Sequence, residues 1–290
     1  MKLTILKPIA ICIMIQNDQE YLSEWLDHHR DLGVDHFYLY DNESTPRYEN
    51  LGDDVTITYW DENYYFEPIL PKLRSDYYKS FEYWEYTELQ TAHWPVYPER
   101  HSKQFKAYQH CLNEYGDRHD WLAFLDSDEF INTVGNSKIR DILNHFDRPG
   151  LGQLLMKWRV FSSSGYLTKQ PLQKEAYVNW FPDYQVKPFV KPTCIVAVKS
   201  LHILPTYPEF YTMTEDGQRN PSISKHTHTS DVIWVNHYWS RSRQDFEETK
   251  LDRKGGTTLR YDEHYEAKYQ FIEQRAAYHM KKLKSLNAPT

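Results

Sequence analysis

The stretch Trp121-Leu122-Ala123-Phe124-Leu125-Asp126-Ser127-Asp128-Glu129-Phe130-Ile131 decides the fold. An apolar run, Trp121 to Leu125, stops abruptly at Asp126, Asp128 and Glu129. A short apolar run ending in charge reads as a buried strand whose C-terminal end reaches an open sheet edge. In open α/β sheets, ligands bind at that edge. Asp126 and Asp128 are two apart, so they share a face on a continuing strand and converge on a turn. Converging carboxylates repel unless a cation lies between them. Hard oxygen ligands suit Mg²⁺ or Mn²⁺, ions that commonly also hold a substrate phosphate. The pattern predicts a metal-bridged diphosphate with Asp126 and Asp128 as ligands. A solvated acidic turn carries the same letters, so the motif needs company.

Working outward, Ile9 to Ile15 is a continuous β-rich run suited to a central parallel strand. Tyr21, Leu22, Trp25, Leu26 and His29 then recur at helical spacing, and Leu32-Gly33 closes that helix. His36 to Tyr40 and Val55 to Trp60 read as two more strands. The opening is therefore β-α-β-β, an α/β pattern that brings the tips of the first two strands to one edge. Asn17, Asp18, Asp41 and Asn42 lie at those tips, where they can bond a uracil edge and ribose hydroxyls or cap the turns. No G-x-G-x-x-G or G-K-[ST] loop follows the first strand, which argues against a dinucleotide site or a P-loop.

Asp61 to Arg100 is crowded with aromatic and charged residues and reads as an insertion, with a helix from about Leu73 to Leu89. A helix from Ser102 to Tyr115 leads into the Trp121 strand. Downstream come a helix at Ile139–Phe146 and strands at Leu154–Phe161, Thr193–Val198 and Asp231–Tyr238. Pro171–Pro192 reads as loop and Pro205–Thr229 as irregular. Helices at Gln244–Lys250 and Glu263–Lys284 end the chain. With no interdomain linker in 290 residues, one domain over 1–290 is expected, its C-terminal helices lying in 240–290.

The formal net charge of −7 argues against a nucleic-acid partner, which would need a basic face. Cys12, Cys111 and Cys194 are odd in number and far apart, as expected of reduced, buried thiols. No stretch has the length of a membrane span. The pattern predicts a cytoplasmic protein, with room for peripheral contact at the inner face of a membrane; nothing in it sets an oligomeric state.

Several blocks resemble the glycosyltransferases of family 92 and the neighbouring family-2-like bacterial group, both of GT-A fold. They are Gln16-Asn17-Asp18, Glu24-Trp25 through His28-His29, and Gly33-Val34-Asp35-His36-Phe37-Tyr38-Leu39-Tyr40-Asp41-Asn42-Glu43-Ser44. The acidic block Trp121–Ile131 follows, preceded by Gln104 and Ala107 to Leu112. Then come Trp158-Arg159-Val160-Phe161-Ser162-Ser163-Ser164-Gly165, Glu175, Val186-Lys187 to Pro192, and His202. Asn236-His237-Tyr238-Trp239 through Ser242, Phe246, Lys250 and Arg253 close the set. Together they span roughly Ile9 to Gly256 in the family's order. Gln16 stands where the family has lysine, and Pro46 where it has aspartate.

The resemblance implies a GT-A fold: a Rossmann-like, mixed but mostly parallel central sheet flanked by helices. It implies a metal-dependent glycosyltransferase of the hexosyltransferase class, using Mn²⁺ or Mg²⁺ and a nucleotide sugar, most simply a UDP-sugar. The acceptor would be a glycan or a lipid-linked saccharide, and transfer would proceed with inversion. It places His237 as a third metal ligand and Ser127 within the donor-binding turn. Lys250 and Arg253 can close over the phosphates as charge-assisted donors, and Arg100 and Gln104 can reach the sugar or phosphate. Inversion needs a carboxylate base on the acceptor side. Glu175, which follows the Ser-Ser-Ser-Gly turn, is the first candidate, with Asp183 and Asp216 as alternatives. Rival readings are a sugar nucleotidyltransferase, which would show a glycine-rich basic first loop, and an inactive carbohydrate-binding or scaffold protein of the same fold. His226-Thr227-His228 has no partner at zinc-ligand spacing.

Overall fold

The computed structural model describes residues 7–61, 69, 71–74, 98–221, 231–251 and 259–286, without the side chains of 98–102 and 259–262. The elements are β1 (Ile9–Ile15), α1 (Gln19–Asp31), β2 (His36–Asp41), β3 (Val55–Tyr59), α2 (Pro98–Tyr115), β4 (Trp121–Leu125) and β5 (Glu129–Thr133). There follow α3 (Ile139–Phe146), β6 (Leu151–Phe161), α4 (Gln173–Ala176), β7 (Trp180–Val190), β8 (Tyr211–Thr214), β9 (Ile233–His237), α5 (Arg243–Phe246) and α6 (Leu259–Leu286).

The strands form one sheet in the order β3-β2-β1-β4-β7-β6-β9-β5, with β8 beside β6. The half β3-β2-β1-β4 is parallel, as the β-α-β-β opening requires. Beyond it the sheet is mixed: β7 runs antiparallel to β4 and β6, and β5 antiparallel to β9, while β6 is parallel to β8 and β9. The molecule is thus a mixed α/β fold with helices on the sheet.

The apolar run of β1 is explained by burial on both faces. Ile9, Ile11, Ile13 and Ile15 pack with Leu22, Trp25 and Leu26 of α1, while Ala10 and Cys12 pack with Tyr108 and Cys111 of α2. Gly33 ends α1 with φ +88, a left-handed turn that a Cβ would strain, and the chain then re-enters the sheet at β2. All three cysteines are buried and unpaired. Among the described residues no helix is long and apolar enough to cross a membrane.

Four expectations need correcting. Residues 171–192 are not all loop, because β7 occupies Trp180–Val190 and pairs with β6 along most of its length. Pro182 and Pro188 disguise it. Pro188 falls just past the two-residue pairing of Phe189 and Val190 with β4, so its missing N–H opens no gap in that ladder. Thr193–Val198 is not a strand: Pro192–Cys194 is one 3₁₀ turn, and Ile195 makes a single isolated bridge to Thr206. β8 gives a short regular piece to the 205–229 segment. The acidic turn is followed at once by β5, whose Phe130 and Ile131 are fully buried. The expected insertion at 61–100, including most of the Leu73–Leu89 helix, lies largely outside the described residues, as do His226 and His228.

Candidate active site

A cleft of about 620 Å³ opens where β1 and β4 end, with Ile15 and Asp126 both on its wall. The turn after β4 is closed from both sides. The Glu129 amide donates to the Asp126 carbonyl at 3.0 Å, and the Asp126 amide donates to Glu129 Oε2 at 2.9 Å. Glu129 is fully buried, and its carboxylate also meets Lys187 Nζ at 3.1 Å. That bond locks the third acid inward and turns Asp126 and Asp128 toward the cleft.

His237 arrives from more than a hundred residues away through strand pairing, since β9 sets it opposite Glu129 of β5. The Tyr238 amide donates to the Asp128 carbonyl at 2.8 Å, fixing that register. His237 Nε2 stands 3.5 Å from Asp128 Oδ1. The Trp158 ring packs on the imidazole at a centroid distance of 4.2 Å. Burial holds His237 below its ordinary pKa, so the ring is neutral at pH 7 and able to ligate. Its Nδ1 is buried and has no hydrogen-bond partner among the described residues.

Burial alone would raise the pKa of Asp128, but Lys250 at 2.9 Å outweighs it and holds the carboxyl well below the usual range. Asp126 is likewise lowered against its burial by Lys187 at 3.0 Å, and it accepts a hydrogen bond from Gln104 Nε2 at 2.6 Å. Gln104 is steered by the Tyr108 hydroxyl, which itself donates to the Leu125 carbonyl at 2.5 Å. Two ionised carboxylates and a neutral imidazole are the right chemistry for a hard divalent ion. Among the described residues no group of three or more His, Cys, Asp or Glu is arranged to hold a metal. Asp128 and His237 offer two donors rather than a closed cage. Such open coordination suits Mg²⁺ or Mn²⁺, which take one or two protein carboxylates and fill the remaining positions with water and phosphate oxygens.

The other expected residues divide by place. Asp18, Asn42, Gln104, Ser127 and Lys250 line the cleft. Asp18 Oδ2 accepts from the Ser127 hydroxyl at 2.6 Å, tying the β1 loop to the acidic turn. Asn17 caps the neighbouring loop: its amide donates to Ser44 Oγ at 3.0 Å, and its Oδ1 accepts from the Thr45 amide at 2.8 Å. Asp41 is buried beneath that loop and accepts from the amides of Ser44 and Tyr48. It shapes the cleft rim without lining it. Arg253 and the Arg100 side chain lie outside the described residues.

None of the three candidate base acids lines the cleft. Glu175 is exposed on α4, the short helix whose first amides bond to Glu24 of α1. Asp216 sits in the turn after β8 and accepts the Thr214 hydroxyl. Asp183 lies on β7, where its Oδ1 accepts from the Gln185 amide at 2.9 Å.

Sequence reasoning did not single out Arg241 and named Lys187 and His202 without giving either a role. Arg241 is buried at φ +48 and donates to Asp18 Oδ1 at 3.2 Å and to the Ser127 carbonyl at 3.4 Å. Its guanidinium also lies 4.3 Å from the Tyr21 ring centroid. A positive φ at arginine is uncommon and persists only where surrounding contacts over-determine it. The only signal was its place just past the last strand. Lys187, 1% exposed, was visible as a motif letter but not as the partner of two acids. His202 lines the cleft, and its Nδ1–H donates to the Val186 carbonyl at 2.8 Å. A carbonyl can only accept, so the tautomer is fixed and Nε2 keeps its lone pair. Burial holds this ring below its ordinary pKa too.

A family model described as glycosyltransferase family 92 matches residues 7–269. A glycosyltransferase family 92 protein of Oryza sativa subsp. japonica is 26% identical over 159 residues, covering 54% of this chain and 22% of that protein. One from Ricinus communis is 22% identical over 174 residues, covering 57% of this chain and 25% of its own. One from Arabidopsis thaliana is 24% identical over 123 residues, covering 42% and 16%. The matches thus span a quarter or less of the length of these relatives.

Proposed function

The chain belongs to glycosyltransferase family 92, and from that membership we propose that it is a GT-A glycosyltransferase moving a hexosyl group from a UDP-sugar to a glycan or lipid-linked saccharide with inversion. The observation that carries the proposal is the convergence of Asp126, Asp128 and His237 on one cleft, ringed by Lys187, Lys250 and Arg241. Glycosyl transfer leaves a nucleoside diphosphate whose negative charge grows as the bond breaks, and preorganised cations stabilise that change. Lys250, now on Asp128, stands next to where those oxygens would lie, and Arg241 holds the β1 loop against the acidic turn. Asp128 and His237 would hold a Mn²⁺ or Mg²⁺, with Asp126 beside them on the same cleft; the ion would supply Lewis-acid stabilisation of the departing diphosphate.

Asn42 and Asp18 on the cleft wall suit the nucleoside, with Asn17 and Asp41 setting the loop that presents them. His202 Nε2 is the group best placed to take the acceptor hydroxyl proton, being neutral and held in one tautomer within the cleft. Asp183 is the carboxylate alternative, being on the same strand as the cleft-lining Lys187. The test is a screen for UDP release from UDP-sugars with saccharide acceptors and Mn²⁺. The expected result is turnover with at least one donor, abolished in Asp128→Ala and reduced at least a hundredfold in His202→Gln. Turnover that persists in Asp128→Ala would refute the proposal.

A further inference from the structure

The C-terminal helix α6 presents two unlike surfaces. On one side Tyr269, Ile272 and Ala276 are buried against Val160, Phe181, Trp239 and Phe246. On the other, Phe271 is 52% exposed, Tyr278 72% and Leu286 71%. These three fall on one stripe with Arg275 and Lys282, following each other at helical steps of three or four residues. Lys281 and Lys284 flank the stripe, and from Gln274 to Leu286 the helix carries four cations and no acid, in a chain of net charge −7.

Aromatic and leucine side chains recurring beside lysine and arginine along one exposed helix face are the pattern of a helix that lies on an interface. Charge identifies its kind. A second copy laid along the same stripe would set Arg275 and Lys282 against like charges. An anionic lipid surface meets both halves of the pattern: aromatic and leucine side chains enter the interfacial layer while lysine and arginine reach headgroup phosphates.

We propose that the C-terminal half of α6, Phe271 through Leu286, lies on an anionic lipid surface, with Phe271, Tyr278 and Leu286 inserted and Arg275, Lys281, Lys282 and Lys284 on the phosphates. The same helix reaches the cleft, because Lys268 and Tyr265 line it. At 1.5 Å per residue, Tyr278 lies about 15 Å along the axis from Lys268. Docking would therefore bring the cleft within reach of a saccharide carried on a lipid. That consequence rests on the transferase proposal; surface binding does not, so the test measures binding alone.

The full chain is co-sedimented with phosphatidylcholine vesicles with and without phosphatidylglycerol. The expected result is sedimentation only with the anionic lipid, weakened by added salt. Each cation near an anionic surface strengthens binding about fivefold, so Lys281→Gln with Lys282→Gln should weaken it about 25-fold. Phe271→Ser with Tyr278→Ser should abolish it. All four positions are exposed, and circular dichroism checks that helicity is unchanged. Failure to sediment with phosphatidylglycerol overturns the inference, as does binding indifferent to both double variants. So does a dimer in light scattering that Phe271→Ser with Tyr278→Ser dissociates, because a second copy would then cover the stripe.

Discussion

Asp245 is where the last segment of the chain is fastened to the site, and replacing it with alanine should be among the costliest single changes. It is 1% exposed and caps α5 through a reciprocal bond with Ser242. Its Oδ2 accepts from Ser242 Oγ at 2.6 Å, the Ser242 amide at 3.2 Å and the Tyr177 hydroxyl at 3.3 Å, while the Tyr21 hydroxyl reaches Oδ1 at 2.9 Å. Burial, with Asp245 beside it, pushes the Tyr177 phenol up to about 12, and Tyr21 is raised further. Both therefore remain donors at any working pH. Asp245→Ala strands four buried donors, each costing about 1–3 kcal/mol if left unpaired. It also removes the capping box. Allowing for partial rescue by water, the loss should be about 4 kcal/mol. Asp245→Asn keeps the shape and one acceptor oxygen and should lose about half as much. Urea unfolding at pH 7, with an unchanged denaturant slope, reads both. A cost below about 1 kcal/mol for Asp245→Ala would refute the hub described here, since so buried an acceptor of four donors cannot be removed that cheaply. The site should loosen with it, because Arg241 rests on the Tyr21 ring that Asp245 anchors.

Other outcomes follow from the same contacts. Lys187→Met leaves Asp126 and Glu129 without their shared cation and should cost about 3–5 kcal/mol in urea unfolding, partly recovered by adding Glu129→Gln. Lys250→Ala removes a partly exposed ammonium from Asp128 and should weaken UDP binding about tenfold by calorimetry with little change in stability. Burial pushes His28 and His119 down to about 4, below the ordinary 6.5 of the unfolded chain. Both are thus neutral in the fold at pH values where the unfolded chain charges them. Stability should be fully present above pH 6.5 and fall between 6.5 and 4, by up to about 3 kcal/mol for the buried His119. Urea midpoints measured across that range check it, and His119→Gln should flatten the slope.

The parallel half of the fold was legible because its signals are local. Ile9–Ile15 and Trp121–Leu125 are apolar throughout since both faces are buried, and the acids of the turn mark the strand end. β7 was hidden because proline reads as a breaker wherever it stands, while its cost depends on which ladder needs the missing N–H, and that is a tertiary fact. Asp41 and Asp18 show the same limit at the site. Asx side chains cap turns and bind ligands with the same atoms. Only the folded loop shows Asp41 turned inward to the amides of Ser44 and Tyr48 and Asp18 on the cleft wall. Arg241 and Lys187 act through partners far off in sequence, Asp18 and Asp126 respectively, a distance no periodicity spans. Glu175 was chosen for following the Ser-Ser-Ser-Gly turn, a position that says nothing of which edge of the sheet it faces.

The most direct test of the donor site is calorimetric titration of UDP into the full chain with Mn²⁺, with EDTA, and into Asp128→Ala. If Asp128 and His237 hold an ion against a diphosphate, UDP should bind at micromolar concentration with Mn²⁺, lose at least a hundredfold in EDTA, and fail to bind the variant. UDP binding of equal strength in all three conditions would contradict the metal-bridged site and leave the lysine and arginine side chains of the cleft as its anion receptors.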